Sequence, residues 1–519
     1  MKAGDRTPVD EGVGARGVVS GGMWTLAASL VTVVASLIAT PFVLRGLGAE
    51  AYGVFSVVQV AVGYFAVADF GMGDASTRFA SDAYARGDRQ GEVEAVWTSV
   101  LLQVVPSAVA IIALTGGAWY IASDVLRLPS HIQAAAVAAL PIAGVAMIVK
   151  NLATIFNSPQ VVRLRFRELA LINTTCGVVQ IATIPMVVWR GGSLAACVAV
   201  IAAANLLGLI CHAVYALRLL PELRSPRVRR ALARRMIRYG AWMVVVTLVI
   251  TLLMQSEKIL ISRFASPTAL AHYTVAFSLA SLLTILPRAI KGVLFPIFSR
   301  LQAEPSQTTL TEFYSRTVRV ALISLGPLVV LMCIVAAPFI SVWAGAEYGR
   351  HSAGPFYVLT IGFLASGATA IPVVLLKGLA RVDLLGRFNL IQVGPYVVVA
   401  ALLTWSHGAV GGAIAFALRA LVDAAMHFGA VRRVLQVRIW PDRGQFAWFL
   451  TASLVVAAPL ATLSFSGLGL FWRLALTAPA LGLYVTISWR RVFSPAEKEA
   501  LRSLRMRLTG RDASLAENR

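Results

Sequence analysis

Residues 148–153 read IVKNLA and residues 375–380 read LLKGLA. Each sets one lysine in an otherwise apolar run, and further pairs follow in the same order. GGMWTL at Gly21 matches YGAWMV at Tyr239, AYGVFS at Ala51 matches HYTVAFS at His272, LALIN at Leu169 matches FNLIQ at Phe388, and CHAVYALR at Cys211 matches MHFGAVRR at Met426. The offsets stay between 215 and 227 residues, which marks an internal repeat rather than scattered coincidence.

The repeat lies in a chain built for lipid. Of its 519 residues 58% are hydrophobic and 13% charged, and the mean hydropathy is +0.77, too apolar for an ordinary soluble domain. Fourteen runs reach the length of about 20 mostly apolar residues that a bilayer span needs, centred near residues 32, 62, 108, 144, 179, 205, 248, 279, 328, 365, 396, 418, 455 and 480. Each half of the repeat carries six of them, and even-numbered repeats keep the same orientation about an axis along the membrane normal. The sequence predicts an all-α polytopic membrane protein of about 14 transmembrane helices, two six-helix repeats plus two C-terminal helices. The expected divisions are an N-terminal lobe over 18–218, a cytoplasmic Arg-rich linker over 219–238, a second lobe over 239–433, two additional helices over 445–490 and a basic tail over 491–519. Two such bundles would enclose a cavity open to one face at a time.

A formal charge of +22 raises the question of nucleic acid. The cations fall in alternate loops rather than in one basic domain with stacking aromatics, so the charge reports topology and no nucleic-acid partner is expected. The N-terminus (Lys2, Arg6, Arg16), the cluster Arg78, Arg86 and Arg89, the cluster Arg163, Arg165 and Arg167, the stretch RSPRVRRALARRMIR from Arg224 and the tail from Arg490 all belong on one side. The positive-inside rule places both termini in the cytoplasm. The first apolar run is span-length, starts near Val18 and has no convincing cleavage site, so it is read as a helix and not as a signal peptide. Trp119, Trp189, Trp343 and Trp405 mark outer helix ends, and Trp97, Trp440 and Trp489 inner ones, as interfacial anchors. Cys176, Cys197, Cys211 and Cys333 lie in apolar runs without metal-ligand spacing and read as packing residues.

Charges inside apolar runs cost about 2.5 to 3.5 kcal/mol each, so they face a cavity or a partner, or snorkel to the headgroups. Lys150 and Lys377 occupy equivalent places in the repeat. Arg288 and Lys291 lie in PRAIKGVLFP (287–296), between two prolines that weaken the helix around them. Four cations from three helices at similar depth, with few carboxylates to neutralise them, suit an anionic headgroup, and an arginine can grip phosphate bidentately. Arg419, Asp423 and His427 recur at four-residue spacing on one helical face, which reads either as a self-neutralised Arg–Asp pair or as a proton-responsive coupling element. Glu257 and Lys258 read as an outer gate or a local ion pair. No Walker loop, metal-ligand cluster or assembled nucleophile is present, so neither an enzyme nor an ATP-driven pump is expected, and no cofactor.

The stretch PFVLRGLGAEAYGVFSVVQ (41–59) and VADFGMGDASTRFAS (67–81) resembles the first two helices of Wzx-type oligosaccharide flippases of the multidrug, oligosaccharidyl-lipid and polysaccharide exporter superfamily. EKILISRF (257–264), HYTVAFSLA (272–280), VLFPIFSRL (293–301) and LLKGLARVDLLGRFN (375–389) resemble later segments of the same family, so the likeness runs along nearly the whole chain. It implies alternating-access transfer of a polyprenyl-pyrophosphate-linked oligosaccharide from the cytoplasmic to the outer leaflet of the bacterial inner membrane. The pyrophosphate would then be the anion for Lys150, Arg288, Lys291 and Lys377, and polysaccharide polymerase and chain-length proteins would be possible partners. Family members usually carry an acid where Glu257 stands, whereas Lys258 and the Arg-rich linker are not features that the family assigns. The rival readings are a lipid II flippase, a multidrug antiporter of the same superfamily, and a non-transporting scaffold for polysaccharide assembly.

Overall fold

The structure is a computed structural model that describes residues 11–65, 71–285, 287, 294, 298, 307–379, 381–436, 447–448, 451, 470–493 and 498. Its long elements are helices, and no strand occurs among the described residues. In chain order they are α1 (Glu11–Phe65), α2 (Met72–Ala85), α3 (Arg89–Gly116), α4 (Ser130–Phe156), α5 (Phe166–Trp189), α6 (Leu194–Leu219), α7 (Arg230–Phe264), α8 (Pro267–Ala280), α9 (Gln307–Trp343), α10 (Ala346–Gly378), α11 (Val382–Leu435) and α12 (Leu470–Ile487). Each expected span centre lies in one of these helices except that near residue 455, which is outside the described residues. Eight helices among the described residues are long and apolar enough to cross a membrane.

Two of them are each a pair of helices. α1 breaks at Gly48 (φ 77°, ψ 167°) and α11 at Gly408 (φ 56°, ψ −132°), backbone conformations open to glycine and costly for any residue with a Cβ. The breaks fall between the first and second and between the eleventh and twelfth apolar runs. Prolines 41, 106, 141 and 185 sit within α1, α3, α4 and α5, as spanning helices tolerate when their neighbours take up the freed carbonyls.

The chain falls into two compact units, one of Met1–Val275 with Asn389–Phe416, the other of Ala276–Phe388 with Ala417–Arg519. In the first unit α4 packs along α6, with the Asn205 amide donating to the Ala146 carbonyl at 2.9 Å. At the arginine-rich end of that unit Met72, Val93, Val96, Ile155, Leu220 and Met236 form a buried cluster. Val105, Val109 and Ile112 on α3 are exposed, which suits a face that meets lipid tails. In the second unit Phe298, Tyr314, Val318, Leu375, Leu376 and Val431 close a separate core.

The arginine-rich linker is fastened to α3. Arg89 reaches Glu222 at 3.1 Å, Arg229 reaches Glu94 at 3.5 Å, and the Trp97 indole donates to the Leu223 carbonyl at 2.9 Å. The Glu222 carboxyl is drawn below its ordinary pKa by its own backbone amide first and by Arg89 next. Trp97, expected as a lipid-interface anchor, is instead a clamp on the linker, and its ring meets Phe156 edge-on at 6.0 Å. From Arg230 the linker is already the first turns of α7, whose 35 residues outrun the roughly 20 that the hydrocarbon needs.

Beside it, Glu92 is 1% exposed and accepts from both terminal nitrogens of Arg163, at 2.9 and 3.3 Å. The Arg163 guanidinium also lies 4.8 Å from the centre of the Tyr84 ring. Removing one partner of a buried pair strands the other charge, so Glu92→Gln is expected to cost about 3 kcal/mol. Thermal unfolding in detergent checks this, and an unchanged Tm would show that the pair is solvated.

Candidate functional site

The first unit holds a cavity of ≈ 360 Å³ among α4, α5 and α6, whose wall includes Lys150, Asn157, Asn173, Gln180, Asn205 and His212 and, among the described residues, no carboxylate. Lys150 comes from the last third of α4, and Asn157 from the turn that ends it. Asn173 and Gln180 lie two and four turns into α5, and His212 two turns before the end of α6. The cavity therefore starts at the end that carries Arg163, Arg165 and Arg167 and runs toward the middle of the spans.

His212 is 2% exposed and fixes one wall: its Nδ1 meets Gln160 Oε1 at 3.2 Å and its Nε2 meets Asn173 Oδ1 at 3.2 Å. Neither His212, Asn173, Gln180 nor Asn205 was singled out from the sequence. The signal was in the repeat, because CHAVYALR and MHFGAVRR align His212 with His427, and LALIN and FNLIQ align Asn173 with Gln392.

Glu257 on α7 is fully buried. Its carboxyl accepts from the Tyr396 hydroxyl at 2.6 Å and from the Tyr273 hydroxyl at 3.4 Å. Val249, Leu253, Ala400 and Ala415 pack close by and keep Tyr396 4% exposed. Lys258 donates to Gln255 at 2.9 Å. Both tyrosines lie outside the EKILISRF motif, so the sequence did not pair them with Glu257.

In the second unit the four-residue spacing on α11 brings Asp423 and His427 together, Oδ1 to Nδ1 at 3.3 Å, with Nδ1 also 2.8 Å from the Asp423 carbonyl. The His427 ring is buried and meets Phe388 edge-on at 5.1 Å. Arg419 lies one turn earlier on α11. Lys377 sits in the last turn of α10 and is exposed, a position where the helix dipole also favours a cation. Arg288 and Lys291 lie outside the described residues.

This architecture is shared with known transporters. The chain superposes on an inward closed conformation of the lipid II flippase MurJ with a TM-score of 0.68, over 90% of this chain and 98% of that one, at 12% identity. It superposes on the inward-facing conformation of a multidrug resistance MATE family transporter of the MOP superfamily with a TM-score of 0.62, over 81% and 98% of the two chains, at 14% identity. The fold is therefore that of the polytopic, all-helical transporters of this superfamily.

The profile of the polysaccharide biosynthesis protein family matches residues 18–302, more than half of the chain, and the chain belongs to that family. A candidate O-antigen transporter of Shigella flexneri is 21% identical over 417 residues, covering 79% of this chain and 96% of the relative. A candidate low-salt glycan biosynthesis flippase, Agl15, of Haloferax volcanii is 21% identical over 429 residues, covering 81% and 84%. The resemblance to Wzx-type transporters carried by the motifs at 41–59 and 257–264 is borne out.

Proposed function

We propose that this protein is a flippase that moves a polyprenyl-pyrophosphate-linked oligosaccharide from the cytoplasmic to the outer leaflet by alternating access, for the synthesis of a cell-surface polysaccharide. The observation that carries the reading is the cavity wall around Lys150, which among the described residues has one lysine, several amides and no carboxylate. A multidrug antiporter taking cationic substrates would need an acid there, because a buried cation without a partner is costly. The family, and relatives named for O-antigen transport and glycan flipping, support the same substrate class.

In this reading Lys150, Arg288, Lys291 and Lys377 hold the pyrophosphate, and Glu257, Arg419, Asp423 and His427 couple or gate the movement. Fourteen spans, both termini in the cytoplasm and two six-helix lobes over 18–218 and 239–433 belong to the same proposal. Depletion of the protein is the test: a pyrophosphate-linked oligosaccharide should accumulate in the cytoplasmic leaflet and clear on re-expression. Accumulation of lipid II instead would make it a lipid II flippase, and accumulation of neither would leave the scaffold reading.

Losing a charge-assisted hydrogen bond to phosphate costs about 1.5 to 3 kcal/mol. Lys150→Gln is therefore expected to lower export per molecule about tenfold or more, while Lys150→Arg keeps most of it. Surface polysaccharide normalised to protein in the membrane is the measurement. Equal export by Lys150→Gln would return this lysine to headgroup snorkelling.

A further inference from the structure

The cavity beside Lys150 is made by missing side chains. Gly177 on α5 and Gly208 on α6 line it, both in helical conformation, where glycine costs about 1 kcal/mol relative to alanine. Close packing does not demand either glycine. A Cβ added at Gly177 would meet nothing within 4 Å, and one at Gly208 would meet only the Cys176 sulfur at 3.8 Å.

The repeat shows what could have stood there. The offset of 215 that aligns His212 with His427 also aligns Gly208 with Asp423 and Ala204 with Arg419. Ala204 and Gly208 both line the cavity, at positions where the second half of the sequence carries a guanidinium and an acid.

The amides in the wall of this opening suit a hydroxylated ligand. The Asn157 and Gln180 side chains make no hydrogen bond among the described residues, and an amide both donates and accepts, as sugar hydroxyl and acetamido groups require. An apolar occupant would leave these groups desolvated without partners. The volume of ≈ 360 Å³ lies within the span of small-molecule sites.

We propose that this cavity is the glycan subsite of the transporter: it takes the sugar next to the pyrophosphate, with the Asn157 and Gln180 amides on its polar groups and Lys150 on the adjoining phosphate. The assignment rests on the flippase reading and adds to it the residues that recognise sugar rather than charge.

The test uses the purified full-length protein in lipid nanodiscs and two probes. One is the lipid-linked oligosaccharide extracted from the producing cells after depletion of this protein, and the other is polyprenyl pyrophosphate without sugar. Gly177→Leu fills the cavity and Gln180→Leu removes an amide at nearly constant volume. Each is expected to weaken the glycosylated probe at least about tenfold while polyprenyl pyrophosphate stays within about twofold, and Gly177→Leu should hold or raise the Tm, since leucine is the better helix former. Gly429→Leu, a change on α11 with nothing within 4 Å, is the control and should leave both affinities unchanged.

In a protein whose other three cysteines are replaced by serine, Cys176, which lines the cavity, should react with an aqueous thiol reagent. The glycosylated probe should block that reaction and the sugar-free lipid should not. Wild-type affinity of both leucine variants for the glycosylated probe, equal losses on the two probes, or no protection of Cys176 overturns the subsite while leaving the flippase in place. A wild-type protein that binds neither probe overturns the flippase reading, and the subsite with it.

Discussion

Glu257→Ala is expected to abolish export and to lower stability by about 3 kcal/mol. The substitution takes a hydrogen-bond acceptor away from two buried hydroxyls, those of Tyr396 at 2.6 Å and Tyr273 at 3.4 Å, and opens a cavity at a position that is 0% exposed. Each lost bond contributes about 1 kcal/mol or more, and the lost volume adds to it. Glu257→Gln separates structure from coupling. The amide keeps an acceptor for Tyr396 and nearly the same volume, so the protein should reach the membrane at close to the wild-type level. If the carboxyl couples or gates transport, export per molecule should still fall about tenfold or more. Thermal unfolding in detergent, together with export normalised to membrane level, reads both quantities. Wild-type export by Glu257→Gln would make the residue a packing acceptor.

Gly53→Val is expected to have the largest effect on folding. A Cβ at Gly53 would lie 1.9 Å from the carbonyl oxygen of Pro267 and 2.5 Å from its carbonyl carbon, which is the backbone at the start of α8 and cannot swing aside. Even alanine is excluded, and valine adds two methyl groups, so the two helices must separate. Overpacking a tight contact costs about 1 to 3 kcal/mol where side chains can yield, and more where the obstacle is backbone. The protein in the membrane should drop to a small fraction of wild type. Gly177→Ala, with open space around its Cβ, should be neutral or stabilising by up to about 1 kcal/mol. Normal levels of Gly53→Val would mean that α1 and α8 do not cross at this point.

The apolar runs by themselves determined that the chain is helical. In lipid a backbone must satisfy its own hydrogen bonds, so a run of about 20 apolar residues has little alternative to a helix. Gly48 and Gly408 could be placed near breaks for the same kind of reason, since the runs on either side are each long enough to span. The family too was legible, because motifs such as PFVLRGLGAEAYGVFSVVQ are local.

What the sequence did not determine is which polar group meets which. Tyr396 lies 139 residues from Glu257, Arg163 lies 71 from Glu92, and Leu223 lies 126 from Trp97. Hydropathy reports that a face is buried and says nothing of the neighbour that buries it, and helices all apolar enough for lipid are nearly interchangeable on that scale. Asp423 and His427 are the exception that fits the rule, being one turn apart on a single helix. The cavity was least legible of all. Gly177, Gly208 and Ala204 carry no chemistry of their own, and only the packing of α4, α5 and α6 decides that the volume they omit stays open beside Lys150 and is not closed by a neighbouring helix.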